Sequence, residues 1–152
     1  QQSITRYWLL GDMPSDFDYA TVVVVKLRLR RSASKGDALS FGSVQLFQSN
    51  ESTAVTNSLT ISDTTTATNY SYSMTITGTN NKTVWDGLRM GIRTSVGTSG
   101  SAYLYAAQVD ITYNATAGGG SSAQNRIFGF NTDKALSSIS KNAIIVPLNL
   151  PV

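Results

Sequence analysis

The chain has 152 residues, enough for one domain with a single buried core. Apolar residues make up 41% and charged residues only 14%, against roughly 25% charged in an average domain, so Ser, Thr and Asn carry much of the surface. The absence of His and Cys removes the usual neutral-pH general base, thiol nucleophiles, disulfides and thiolate metal sites, and a net charge of +3 is too mild for a nucleic-acid-binding profile.

In chain order, the first candidate strand is Ile4–Leu10. The second is the alternation of Val23, Val25, Leu27 and Leu29 with Lys26, Arg28 and Arg30, which gives one dry and one wet face. Shorter strands are expected at Phe41–Gln48 and Ser58–Ser62. Tyr70, Tyr72, Met74 and Ile76 then alternate with Ser71, Ser73, Thr75 and Thr77, and Leu88, Met90 and Ile92 alternate with Arg89, Gly91 and Arg93. A long strand follows, with Tyr103, Tyr105, Ala107, Val109, Ile111 and Tyr113 expected on one face and Gln108, Asp110 and Thr112 on the other. Turn chemistry falls at Lys35-Gly36-Asp37, Thr77–Asn81 and Gly97–Gly100. The single helix-like stretch is a weak one, Lys134–Lys141. Seven or more half-buried strands predict an all-β protein, an antiparallel β-sandwich with a jelly roll as the preferred topology and an immunoglobulin-like one as the alternative.

Composition divides the chain into a body (1–116), a Gly/Ser linker (117–123) and an apolar C-terminal tail (124–152). Ile127, Phe128, Phe130, Ile144, Ile145, Val146, Leu148 and Leu150 make this tail too apolar to stay in water and too short for a core of its own. It either closes the sandwich as its last strand or adds to a neighbouring subunit as a donor strand, the reading favoured here. At about 25 cal/mol per Å², a few hundred Å² of apolar burial would contribute several kcal/mol before ordering costs.

Four segments taken together carry a resemblance. They are Val22–Ser34, ending in Arg30-Arg31-Ser32-Ala33-Ser34; Phe41–Phe47; Trp85–Ile92, reading Trp-Asp-Gly-Leu-Arg-Met-Gly-Ile; and Ala106–Tyr113, reading Ala-Ala-Gln-Val-Asp-Ile-Thr-Tyr. In this order they resemble a jelly-roll β-sandwich module of tailed-phage structural proteins, over roughly residues 8 to 113. The resemblance implies a virion-surface role, head decoration or fibre, without enzymatic activity. Its motifs are packing motifs, and function does not travel with a fold.

The candidate partner-contact residues are the basic stripe Lys26, Arg28, Arg30 and Arg31, extended by Arg89 and Arg93, and the tail residues Ile144, Ile145, Val146, Leu148 and Leu150. The blander account of the stripe is a solvated sheet face whose charges deter edge pairing. Asp12, Asp16 and Asp18 cluster around Met13-Pro14-Ser15, where turn capping accounts for them better than catalysis or calcium binding. Tyr70, Tyr72, Tyr103, Tyr105, Trp8 and Trp85 could form a sugar platform, but their alternation with polar residues assigns them to the core. Asn50, Asn69, Asn81 and Asn114 open N-x-Ser/Thr sequons, possible glycosylation sites in a glycosylating host.

No catalytic residue, metal or cofactor is expected. The expected partners are other copies of the chain, as a homo-oligomer of trimeric size, and a major capsid protein or a neighbouring filament subunit; nucleic acid and membrane are not expected. The leading reading is a non-enzymatic capsid decoration (cement) protein on a virion surface. The alternatives are a subunit of a secreted bacterial or archaeal surface filament held by strand donation, and a carbohydrate-binding or adhesin module, both extracellular or on a cell surface.

Overall fold

The computed structural model describes residues 3–32, 40–62, 64–95, 101–116, 123–131 and 144–145. The expected helix at Lys134–Lys141, two of the turns (Lys35-Gly36-Asp37 and Gly97–Gly100) and the tail residues Val146, Leu148 and Leu150 lie outside these. The strands are β1 (Ser3–Gly11), β2 (Phe17–Arg31), β3 (Phe41–Phe47), β4 (Leu59–Thr60), β5 (Thr68–Met74), β6 (Leu88–Ser95), β7 (Ala102–Ala115), β8 (Ala123–Asn131) and β9 (Ile144–Ile145), with one short helix, α1 (Lys82–Trp85), before β6. They form a four-stranded sheet in the order β1-β6-β3-β4 and a five-stranded sheet in the order β5-β2-β7-β8-β9. All described pairings are antiparallel except that of β9 with β8. The protein is an all-β sandwich, and among the described residues no helix is long and apolar enough to cross a membrane.

Alternation explains why the two sheets face each other. Val23, Val25, Leu27 and Leu29 of β2 are fully buried, as are Val44 and Leu46 of β3 and Leu88 and Met90 of β6. Ala107, Val109, Ile111 and Tyr113 of β7 close the same layer. Trp85 of α1 lies fully buried between the sheets, its ring 5.9 Å from that of Phe17, which in turn meets Tyr113 at 5.2 Å.

The sequence pattern hides α1, which has too few residues for a helical period to register. Its start is nonetheless written in Asn81, whose side chain accepts the Val84 N–H at 3.0 Å as an N-cap. The turns around it are cross-braced: Asp86 accepts the Met13 N–H and the Lys82 ammonium, and Asp12 accepts the Gly87 N–H at 2.9 Å. Gly87 takes a left-handed φ of 70°, which suits glycine at this tight corner before β6.

The chain after the Gly/Ser segment re-enters the sandwich. β8 pairs with β7 from Asn114↔Ala123 to Ala106↔Asn131 and buries Phe128 completely in the shared core. β9 then lies parallel to β8, with Ile144 opposite Phe128 and Ile145 opposite Gly129.

Candidate functional site

The outer face of the five-stranded sheet carries the basic stripe. Lys26, Arg28 and Arg30 follow one another on the wet side of β2, each half-buried. Ser71 and Asn69 of β5 stand opposite Lys26 and Arg28 on one flank, with Gln108 and Ala106 of β7 on the other. The Arg28 guanidinium donates to Asn69 Oδ1 at 3.2 Å, and Val22, further along β2, is half exposed. Arg31, one residue beyond Arg30, takes the opposite side of the strand by alternation and donates to the Ser32 carbonyl.

At the Arg30 end the long strand departs from the expected pattern. Arg28 pairs with Ala106 but Leu29 pairs with Leu104, so Tyr105 is an extra residue on β7, a β-bulge. The bulge reverses the side-chain phase: Leu104 packs against the core, and Tyr103 and Tyr105 come out beside Arg30. Their rings stack with centroids 6.3 Å apart. The Arg30 guanidinium lies 4.5 Å from the centre of the Tyr103 ring, and its Nε donates to the Tyr105 hydroxyl at 2.6 Å. Tyr103 is 40% exposed, so the expectation that these two tyrosines fill the core is overturned by one inserted residue. Nothing in the composition signals it, because a bulge depends on how two strands pair.

Towards β8 the same outer face dries out. Ala106, Gln108 and Ile127, outward by register, are all buried. Asp110 sits between this dry strip and Lys26, with Oδ1 buried and, among the described residues, without a hydrogen-bond partner. Burial pushes its carboxyl above the ordinary carboxylate range, and the nearby Lys26 charge offsets part of that rise.

Arg89 and Arg93 do not extend the stripe. They lie on β6, in the other sheet, where Arg89 approaches Glu51 at 3.7 Å and Arg93 donates to Ser3 Oγ at 2.7 Å. The six aromatic residues do not form one platform either. Trp8 and Trp85 are buried, Tyr70 and Tyr72 stack 6.0 Å apart against the core, and Tyr103 and Tyr105 face outwards.

The acidic cluster is dispersed into structural roles. Asp12 holds the Gly87 amide, and Asp16 Oδ1 accepts the Tyr113 hydroxyl at 3.0 Å. Burial, that hydrogen bond and the Asp16 charge push the Tyr113 pKa up to about 12. Among the described residues no three His, Cys, Asp or Glu side chains meet as a metal site.

Asn50, Asn69 and Asn81 are exposed and Asn114 is half-buried. Asn50 accepts the Ser52 and Thr53 amides in its turn, and Asn114 donates to the Tyr19 hydroxyl. Comparison with protein-family models, with curated proteins and with solved structures found no match.

Proposed function

We propose that this chain is a virion structural protein, a capsid decoration protein of the tailed-phage type, that acts by protein–protein contact. The observation that carries this reading is the outer face of the five-stranded sheet. Three cations stand in register on one strand and end at an exposed tyrosine stacked on a second tyrosine and an arginine. Arginine and tyrosine are residue types favoured at macromolecular interfaces, and a cationic stripe steers association with an acidic surface such as a capsid shell.

Two further observations support it. The four segments that resemble the phage module map onto β2, β3, α1 with β6, and β7, which include inner strands of both sheets. The nested pairing of β3 with β6 and of β2 with β7 is compatible with a wound jelly roll. The second reading, a surface-filament subunit, is favoured by one feature. The β8 edge accepts a short apolar strand, and a donor strand from a neighbour would use the same edge.

Immunogold electron microscopy with an antibody to this chain, on particles and cells from the source culture, separates the two. Regular labelling of capsids is the expected result, and recombinant Lys26→Glu/Arg28→Glu/Arg30→Glu protein should fail to rebind capsids that the unaltered protein decorates. Label confined to cell-surface filaments, or undiminished binding by the triple variant, would overturn the assignment.

A further inference from the structure

The outer face of the four-stranded sheet is built on a different plan. Tyr7 of β1, Gly91 of β6 and Gln45 of β3 are neighbours across the sheet, and the next rung places Thr5, Arg93 and Ser43 side by side. Gly91 has no side chain of its own, and the Phe47 ring and Thr5 close over it. A Cβ there would meet the Phe47 ring at 2.6 Å and Thr5 Cγ2 at 3.2 Å. Phe47 lines the surface beside Gly91, with Tyr7 packed edge to face against that ring at a centroid distance of 5.3 Å. What remains is a groove of about 300 Å³, at the small end of ligand pockets, whose walls include Thr5, Ser43, Gln45, Phe47 and Arg93.

Its chemistry is specific. Hydroxyls that both donate and accept, a carboxamide, and an aromatic edge against which C–H groups can pack match the surface of a sugar ring. Gln45 is held in place by donation from its Nε2 to the Thr56 carbonyl at 2.8 Å. The charged group in the groove is Arg93. Among the described residues no carboxylate pairs with it; its recorded partner is the neutral Ser3 hydroxyl. A guanidinium fork that is exposed and unneutralised fits a carboxylate, bidentately. A phosphate site would call for further cations, and among the described residues Arg93 is the one cation that lines this groove.

We propose that this groove is a binding site for an acidic sugar, a uronic or sialic acid residue of a glycan, with Arg93 holding the carboxylate, Gln45 and the hydroxyls holding the ring, and Phe47 packing against its apolar face. The site is on the opposite side of the sandwich from the cationic stripe and does not depend on the virion assignment.

The test is an array of uronate- and sialate-containing oligosaccharides, each printed beside its neutral counterpart, followed by titration calorimetry of any hit. Acidic members should bind at least tenfold more tightly than their neutral partners, with affinity falling as salt is raised. Arg93→Gln should weaken that binding at least tenfold at unchanged melting temperature, whereas Arg6→Gln, on the face of β1 turned away from the groove by alternation, should not alter it. In amide-shift mapping the perturbed signals should centre on Gly91, Ser43 and Thr5. No binding of any acidic glycan by the folded protein would overturn the proposal. So would equal affinity for neutral glycans, binding that survives Arg93→Gln, or displacement by millimolar inorganic phosphate as effective as by the free sugar acid.

Discussion

The two outer faces of this sandwich start from the same period-2 rule and break it in opposite ways. On the five-stranded sheet a residue is added: the bulge at Tyr105 turns two tyrosines outwards and raises an aromatic ridge beside Arg30. On the four-stranded sheet a side chain is missing: Gly91 lets the Phe47 ring and Thr5 close over the strand, and a groove lies between them and Arg93. A ridge with a cationic stripe suits a broad macromolecular surface, and a hollow with one cation suits a small polar ligand. The lesson is that the shape of a sheet face is set by its irregular positions rather than by the alternation that builds it.

Both faces rest on one buried core, and the largest expected effect comes from removing a side chain at its centre. Trp85 is fully buried between the sheets against Phe17, so Trp85→Ala should leave a large cavity and cost about 3–5 kcal/mol. For a chain of this size that corresponds to a fall of roughly 10 °C in melting temperature by circular dichroism. Both faces should be lost in one transition. If ligand or partner binding on one face outlasts the other as the variant unfolds, the faces belong to separately stable units.

A pair of glycines gives a smaller and sharper test. A Cβ at Gly129 on β8 would meet the Ala107 carbonyl oxygen at 2.7 Å, and backbone of a paired strand cannot yield without disturbing the ladder. A Cβ at Gly91 would meet the edge of the Phe47 ring, which is half-buried on an outer face and can swing aside. Gly129→Ala should therefore cost about 2–3 kcal/mol in urea unfolding and Gly91→Ala about 1 kcal/mol, with part of each cost offset by the lower chain entropy of alanine. The reverse order would mean that the Phe47 ring is fixed over Gly91.

How much of this was legible in the sequence follows from the same distinction. The strands on β2, β3, β5, β6 and β7 could be read because one buried face imposes alternation on the residues themselves. The inward Val23–Leu29 set and the outward Lys26, Arg28 and Arg30 needed no partner to be identified. The outward tyrosines were not legible, since a bulge is a property of two strands and becomes visible only where Leu29 meets Leu104. Assigning Arg89 and Arg93 to the stripe failed for a related reason: alternation gives the face of a strand but not the sheet to which it belongs. The groove was hidden because its defining residue, Gly91, reads in sequence as one more small outward position. α1 had a local signal in the Asn81 cap, but four residues are too few to show a helical period.

The smallest expected effect concerns the acid on the cationic face. Burial holds the Asp110 carboxyl above the ordinary carboxylate range, so on acidification the folded protein takes up this proton at a higher pH than the unfolded chain does. Between the ordinary value near 3.9 and the raised one the folded state carries more protons, and this group's contribution to stability falls as pH rises through that window. At neutral pH the ionised carboxylate, with one oxygen buried and unpartnered, is therefore a destabilising feature. Asp110→Asn should raise the melting temperature slightly at pH 7, the gain being limited by the solvent that screens this half-buried carboxylate, and it should shrink as pH is lowered towards 4. Lys26→Gln removes the charge that moderates the shift, so it should move the carboxyl resonance of Asp110 to a still higher titration midpoint by NMR. A midpoint unmoved by that substitution would show that the acid and the stripe do not interact electrostatically.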